Sequence, residues 1–250
     1  MGIFDRIGRA LAGYLTQTSD IRAASPPTPP DLLLSVLQPA DVLLVEGHAR
    51  ISSAIKYLTQ STWSHAALYA GAIGSEGCFI EVDLVDGVRR VGVEAFSGLH
   101  TRICRPVGLS AADRETVVGY ARARIGDRYD LRNVIDLVRY LLPNPPVPTR
   151  WRRRMLALGG GDPTRAICSS LIAQAFEAIR YPILPEIETR PAATEQCPAC
   201  VEEILHIRHH SLYTPRDFDV SPYFEIVKPG LRKGFDYRGL KWADEGAPAA

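Results

Sequence analysis

The chain has 250 residues, of which 46% are hydrophobic and 23% are charged, and this composition excludes extensive disorder. The length allows one large domain, or one domain with short appendages. The 29 Lys and Arg residues nearly balance the 28 Asp and Glu residues. The resulting net charge of +1 excludes the broad positive field typical of proteins that bind nucleic acid.

Neither a membrane-spanning segment nor an export signal is predicted. No apolar run approaches about 18 residues, the length at which a spanning helix is expected. Asp5, Arg6 and Arg9 interrupt the stretch where a signal peptide would need an apolar centre. The five cysteines are odd in number and irregularly spaced, which favours reduced thiols in a cytoplasmic protein.

The first 38 residues are predicted to form a helix and a linker. Residues 1–17 have the periodicity of an amphipathic helix, and residues 18–38 form a linker too rich in proline to continue it. The apolar face of the helix consists of Ile3, Phe4, Ile7, Leu11, Tyr14 and Leu15. Such a face either packs on the domain or lies on a membrane. In the second case the partner of residues 1–17 is the inner membrane surface.

Residues 39–230 are predicted to form one α+β domain, followed by a tail over residues 231–250. The first part of this domain is a series of strand-like runs, which favours an antiparallel sheet over βαβ alternation. The runs cover residues 41–45, 64–69, 78–85, 88–93 and 101–105, with a short helix from Ile51 to Leu58 and a hairpin turn at Asp86-Gly87.

Helices dominate the second part of the domain. Ser110 and Asp113 have the spacing of a capping box at the start of a helix. The apolar face of that helix comprises Val117, Val118, Ala121 and Ile125. Further helices are predicted over residues 130–142 and 168–180, and a last strand over residues 223–228.

Cys168 is a candidate nucleophile because it begins one of these helices. The positive end of a helix dipole stabilises a thiolate, and the glycine-rich stretch before this helix leaves backbone N–H groups for an oxyanion. The alternative is that Cys168 packs as a small apolar residue, as buried free cysteines usually do.

His65 is the candidate base that would accompany this thiol. A hairpin centred on Ile73 would place His65 directly opposite Glu81, with Asp83 as the alternative carboxylate if the register differs. A carboxylate there can fix the imidazole tautomer and stabilise an imidazolium. The alternative is an ordinary surface pair of His and Glu.

Six segments resemble the circularly permuted papain-like amidases of the NlpC-type superfamily, and within it the YiiX branch, often called lipo-like proteins. They are residues 39–45, 50–55, 63–69, 80–81, 126–130 and 167–172, which together extend over roughly residues 35–185. The resemblance implies a permuted papain-like fold in which the strand of His65 precedes the helix of Cys168. Ser170 departs from the Cys-Ser-Glu-Leu motif of many relatives, which affects the pocket rather than the nucleophile.

The resemblance also implies a cysteine-dependent hydrolase, either an amidase or an esterase, or an acyltransferase, with no metal or organic cofactor. Cys168 would be the nucleophile, His65 the base and Glu81 the residue that orients the imidazole. The N-terminal helix favours a small-molecule or lipid-like acyl substrate met at the inner membrane face. The alternative function is a non-catalytic module that binds a lipid or an amino acid in the same cleft.

Three further residues are candidates for the oxyanion site or the pocket. They are Tyr129, Ser169 and His48. Tyr129 belongs to the Gly-x-x-Tyr-Asp segment, and its alternative role is that of a core aromatic residue. His48 follows the first strand and is equally explained as a solvated turn residue.

A second group of chemistry-bearing residues follows the segment covered by the resemblance. Cys197 and Cys200, followed by His206, His209 and His210, have the residue types of a tetrahedral zinc site. The gap of five residues between Cys200 and His206 is short for such a site, which favours a reduced thiol pair. A zinc-stabilised interaction protein is therefore a third functional alternative.

Overall fold

The computed structural model describes residues 27–71, 79–83, 86–127, 167–192, 201–232 and 236–239. Several predicted features lie outside these residues. They are the helices over residues 1–17 and 130–142, together with Tyr129, Cys197 and Cys200.

Strands and helices alternate irregularly along the described chain. The strands are β1 (Val42–Glu46), β2 (His65–Tyr69), β3 (Phe79–Asp83), β4 (Gly87–Val91), β5 (His100–Pro106), β6 (Glu186–Pro191), β7 (Val201–His206) and β8 (Phe224–Val227). The α-helices are α1 (Pro30–Leu34), α2 (Arg50–Thr59), α3 (Ala111–Arg122), α4 (Ile167–Glu177), α5 (Pro215–Val220) and α6 (Pro229–Arg232). Short 3-10 helices cover Val93–Phe96, His210–Leu212 and Tyr237–Gly239.

Six strands form one antiparallel sheet in the order β4-β3-β2-β1-β5-β8. The first four strands form the predicted meander. β5 then pairs with the other side of β1, and β8 pairs with β5 as the edge strand. The described part of the chain is therefore a mixed α+β fold built on a large antiparallel sheet, as predicted.

The core lies on both faces of this sheet. β1 is buried along its whole length, which explains why its sequence is a continuous apolar run rather than an alternation. One face packs against α3 and α4, and its core includes Leu44, Leu68, Leu171 and Phe176. The opposite face has a smaller apolar cluster of its own.

α1 lies inside the segment that was predicted to be a linker. A proline at the first helical position loses no hydrogen bond, because that N–H has no partner within the helix, so Pro30 begins α1 without cost. Leu33 is buried and shares the smaller apolar cluster with Leu43 and Phe96. The prediction of a linker is therefore wrong for these residues, which belong to the folded unit.

α3 begins as predicted and ends earlier than predicted. The Ser110 Oγ accepts a hydrogen bond from the Asp113 N–H at 3.1 Å, and Asp113 Oδ2 accepts one from the Ser110 N–H at 3.1 Å. This reciprocal pair is the predicted capping box. The helix ends at Arg122, so Ile125 lies beyond it and is half-exposed instead of completing the buried face.

Two elements near the C-terminus had no counterpart in the sequence prediction. β6 and β7 form a separate two-stranded antiparallel ribbon, and α5 packs against β1 and β8. Among the described helices, none is both long enough and apolar enough to span a bilayer.

Candidate active site

α4 presents Cys168 toward the sheet. Leu171, Ile172 and Ala175 follow Cys168 at helical spacing and are buried, and α4 packs on β2 and β3. The thiol is consequently enclosed, with Cys168 only 7% exposed. Its Sγ lies 4.0 Å from the Oγ of Ser169, which is itself fully buried.

His65 is the first residue of β2, and hydrogen bonding and close packing fix the chain that precedes it. His65 is paired with Val45 of β1, and the Oγ of the preceding Ser64 accepts a hydrogen bond from the Gly47 N–H at 2.9 Å. A Cβ at Gly47 would lie 2.5 Å from the Ser52 Oγ and 2.9 Å from the Ser64 Oγ, so a larger residue would displace these serine side chains. The loop after β1 therefore fixes the point at which β2 begins.

The imidazole of His65 contacts both a carboxylate and the thiol. Its Nε2 lies 2.8 Å from the Oε2 of Glu81, and the ring is close enough to the Cys168 thiol for each group to shift the pKa of the other. The backbone of Ala66 also lowers the pKa of the thiol. The three residues therefore form a continuous Cys–His–Glu chain of contacts.

The register between β2 and β3 differs by two residues from the predicted one. Leu68 pairs with Ile80, so continuing the register sets His65 level with Asp83 rather than with Glu81. A shift of two residues keeps side chains on the same face of a sheet, and the diagonal neighbour is still within reach of a long side chain. Glu81 therefore reaches His65 from the diagonal position.

Arg89 is a fourth member of this site that the sequence analysis missed. It lies on β4 directly opposite Glu81, and its Nε and Nη2 donate to the Glu81 Oε1 at 3.0 and 2.9 Å. It also pairs with Asp83 at 3.3 Å and Asp86 at 2.7 Å. One oxygen of the Glu81 carboxylate thus contacts the imidazole of His65, and the other contacts the guanidinium of Arg89.

The sequence places Arg89 opposite Glu81 only when the register of the β3–β4 hairpin is known. Asp83 pairs with Gly87, so the connection spans residues 84–86 and Gly87 begins β4 with a φ of 77°. A two-residue turn at Asp86-Gly87, as predicted from the sequence, would not bring Arg89 opposite Glu81. Glycine tolerates this left-handed conformation, as in hairpins with a three-residue connection.

The electrostatics of the site favour a charge-separated pair of Cys168 and His65. Burial alone would raise the pKa of the Cys168 thiol, but the hydrogen bond from His65 and the charge of its ring outweigh burial and lower that pKa from its usual 9.0. Burial alone would lower the pKa of His65, but its contacts with Cys168 and Glu81 raise that pKa above 6.5. Both shifts favour a thiolate next to an imidazolium.

Glu81 remains ionised in this environment. Burial opposes its charge, while the hydrogen bonds and charges of His65 and Arg89 together lower its pKa below 4.5. The carboxylate is therefore negative at neutral pH and can stabilise the imidazolium.

The other sequence candidates have different outcomes. Ser169 lies beside the thiol, as described above. His48 is half-buried in the loop between β1 and α2, and its proposed role in the pocket stays a prediction. Tyr129 lies outside the described residues. Cys104 of β5 was not a candidate; it is buried in the core, and burial raises the pKa of its thiol, so it serves in packing.

The three histidines of the predicted zinc site lie among the described residues. His206 lies on β7, where its Nε2 is 2.8 Å from the Oε2 of Glu188 on β6. The rings of His209 and His210 lie 4.1 Å apart. In the described part of the chain, no three His, Cys, Asp or Glu residues are grouped so that they could hold a metal ion. Cys197 and Cys200 are outside that part.

Comparison with known proteins identifies a similarity to solved structures. No profile of a known protein family matches the chain, and no curated protein matches it. Among solved structures, the chain is similar to the crystal structure of the metalloprotein YiiX from Escherichia coli O157:H7, with 13% sequence identity and a TM-score of 0.45. The match covers 76% of this chain and 96% of the E. coli protein.

Proposed function

We propose that the chain is a cysteine-dependent acyl hydrolase or acyltransferase with a permuted papain-like arrangement. The observation that carries the proposal is the single imidazole of His65, which contacts the Cys168 thiol and the Glu81 carboxylate together. A thiol joined to a base that is oriented by a third group is the arrangement used by activated cysteine nucleophiles. The strand of His65 precedes the helix of Cys168 in the chain, which is the permuted order.

The chemistry follows from these positions. The Cys168 thiolate attacks the carbonyl carbon of an amide or ester, forming a carbon–sulfur bond and a tetrahedral oxyanion. The His65 imidazolium then donates its proton to the leaving nitrogen or oxygen, whose bond to carbon breaks and leaves a thioester on Cys168. The neutral imidazole next takes a proton from water, or from an acceptor alcohol or amine, which attacks the thioester and restores the thiolate.

The Cys168 backbone N–H is the proposed donor to the oxyanion. The positive end of the helix dipole favours negative charge at the same place, so α4 would assist both the thiolate and the intermediate. Glu81 acts through His65 by holding the ring in one tautomer and stabilising its positive charge.

The proposed substrate is a small or lipid-like acyl compound. The support is the amphipathic pattern of residues 1–17, which lie outside the described structure and whose apolar stripe suits a membrane surface. The proposed location is accordingly the inner face of the cytoplasmic membrane, with peripheral attachment.

The test is the capture of the acyl intermediate. The protein is incubated with p-nitrophenyl esters ranging from acetate to dodecanoate, and the peptide containing Cys168 is analysed by mass spectrometry. We expect a thioester on Cys168 in the wild type and none in Cys168→Ala. Ester turnover that persists unchanged in Cys168→Ala would contradict the proposal.

A binding module is the second candidate, and the enclosure of the thiol favours it. Cys168 is only 7% exposed, which suits a residue that lines a pocket without reacting. The two candidates differ in the reactivity of the thiol: a binding module requires no thiolate at neutral pH, whereas a nucleophile does.

A further inference from the structure

A polar pocket of about 370 Å³ opens at the end of the sheet where β1 ends and β2 and β5 begin. Its walls come from three elements: residues 60–63 before β2, His100 and Arg102 of β5, and Arg216, Asp219 and Val220 of α5. None of the residues assigned above to the Cys–His–Glu chain lines it.

The charges of Arg102 and Asp219, which both line this pocket, balance each other. Arg102 Nη1 donates to the Asp219 Oδ1 at 2.6 Å, and the Trp63 Nε1 donates to the Asp219 Oδ2 at 2.9 Å. The Arg102 guanidinium also lies 4.9 Å from the centre of the Trp63 ring. Both oxygens of Asp219 therefore have partners, and its charge is balanced by Arg102.

Arg216 leaves the pocket with an excess positive charge. Its Nη1 donates to the Thr59 carbonyl oxygen at 3.3 Å, and among the described residues it makes no ion pair with a carboxylate. The nearby Glu46 does not offset it, because the oxygens of Glu46 contact His100 at 3.1 Å and Lys56 at 3.3 Å. The guanidinium thus retains N–H donors that face the pocket.

The pocket opens at the end of the sheet where β2 begins with His65, on the face that α4 covers. Arg102 is paired with Leu44, whose side chain is in the core beneath α4. His65, Val45 and Thr101 form one row across β2, β1 and β5, so the backbone of His65 is about 10 Å from that of β5 at the usual strand spacing, although the Val45 side chain packs in the cluster on the other face. Trp63 precedes His65 by two residues, roughly 7 Å of extended chain.

We propose that this pocket binds an anionic group of the acyl substrate, a carboxylate or a phosphate, with Arg216 as its principal ligand. A guanidinium presents paired N–H donors that match both groups. The half-buried ring of His100, whose centre is 5.0 Å from that of the buried Trp63 ring, forms the part of the wall along which the chain between the anion and the acyl carbonyl would lie. The inference rests on the proposed function and adds a specificity for negatively charged acyl compounds.

The test compares two reagents that modify Cys168 and differ in charge. Maleimidohexanoic acid carries a carboxylate at the end of a flexible chain, and N-hexylmaleimide is its neutral counterpart of similar length. The rate of adduct formation is followed on the peptide containing Cys168, since other thiols are present. The measured quantity is the ratio of the anionic to the neutral rate at neutral pH.

Arg216→Gln should lower this ratio about threefold to tenfold, the range expected for one partly exposed charge-assisted contact. Arg90→Gln is the matched control, because it removes the same charge from the exposed side of edge strand β4, at the other side of the sheet. Equal ratios in the wild type, Arg216→Gln and Arg90→Gln would overturn the pocket assignment while leaving the proposed function intact. If Cys168 reacts with neither reagent, the proposed function and this inference both fail.

Competition distinguishes the two kinds of anion. Inorganic phosphate and acetate are added separately at equal ionic strength, and the rate with maleimidohexanoic acid is measured. Slowing by phosphate alone assigns a phosphate group, and slowing by acetate assigns a carboxylate. The absence of any effect from either anion on the wild type would overturn the pocket assignment.

Discussion

His65 Nε2 lies 2.8 Å from Glu81 Oε2, although the two residues are not directly opposed on β2 and β3. The diagonal approach leaves the other carboxylate oxygen for Arg89, which donates to it from β4. The carboxylate is therefore held from both sides. An imidazole that contacts such a carboxylate has one preferred tautomer and orientation, which is what a base next to a thiol requires.

Cys168→Ala and His65→Ala should abolish acyl transfer to a similar extent. In the proposed mechanism the thiol and the imidazole act as one unit, so the double variant should be little worse than either single variant. Hydrolysis rates of the p-nitrophenyl esters for the three variants check this. A double variant with an additional large loss would show that the two residues act independently.

Stability measurements serve as the control for these variants. Truncation of one thiol at the start of α4 should cost about 1 kcal/mol or less, so Cys168→Ala should melt close to the wild type. If Cys168→Ala unfolds the protein while the folded fraction keeps its activity, the thiol has a structural role instead.

Glu81→Gln and Arg89→Gln should weaken the site to different degrees. Glu81→Gln removes the negative charge that stabilises the imidazolium of His65, so the thiolate loses support and the acid limit of Cys168 alkylation should move to higher pH. Arg89→Gln removes a positive charge near the imidazolium and should move that limit to lower pH, while lost orientation of Glu81 lowers the rate of ester hydrolysis roughly tenfold.

Arg90→Gln is the control for Arg89→Gln because it changes the same charge on the same strand. The measurement is the pH profile of Cys168 alkylation in all three variants. Shifts of equal sign for Glu81→Gln and Arg89→Gln would contradict the assigned contacts.

The parts of the fold that local sequence patterns determine were predictable. The apolar run of β1, the capping box of α3 and the helical spacing behind Cys168 each depend on residues near one another in the chain. The proximity of His65 and Glu81 was also predicted despite the wrong register, because an error of two residues keeps both side chains on one face.

The parts that depend on tertiary contacts were not predictable. α1 lies in a proline-rich segment and is stabilised by burial of Leu33, which composition does not reveal. β6 and β7 are rich in charged residues and lack an apolar alternation, so no strand signal was visible. Arg89 could be placed opposite Glu81 only after the length of the β3–β4 connection was known.

Arg105→Met should destabilise the protein strongly. Asp41 is fully buried, and Arg105 donates to its two oxygens at 2.9 and 2.7 Å. Removal of the guanidinium leaves a buried carboxylate without its counter-ion, which typically costs about 3–5 kcal/mol. Urea denaturation measures the loss. Replacement of both partners, as Asp41→Leu with Arg105→Met, should recover much of it, and a single-variant cost below about 1 kcal/mol would contradict this role.

Residues 1–17 should bind anionic membranes. Insertion of the apolar stripe contributes about 25 cal/mol per Å² of buried apolar surface, and each basic residue near anionic lipid adds about 1 kcal/mol. Co-sedimentation with anionic liposomes compares the full chain with a variant that lacks residues 1–25. The full chain should pellet and the shortened chain should remain in solution, whereas equal pelleting would exclude this segment as the membrane anchor.

The most direct test of the central claim is the rate of Cys168 alkylation by iodoacetamide as a function of pH, between about pH 5 and pH 10. Since His65 lowers the pKa of Cys168 and Cys168 raises that of His65, the thiolate–imidazolium pair should persist at neutral pH. The account predicts a rate that is already high at neutral pH and falls only below the lowered pKa of the thiol, with His65→Ala shifting that fall toward the ordinary thiol range. A wild-type profile that rises only near pH 9, and is unchanged in His65→Ala, would contradict it.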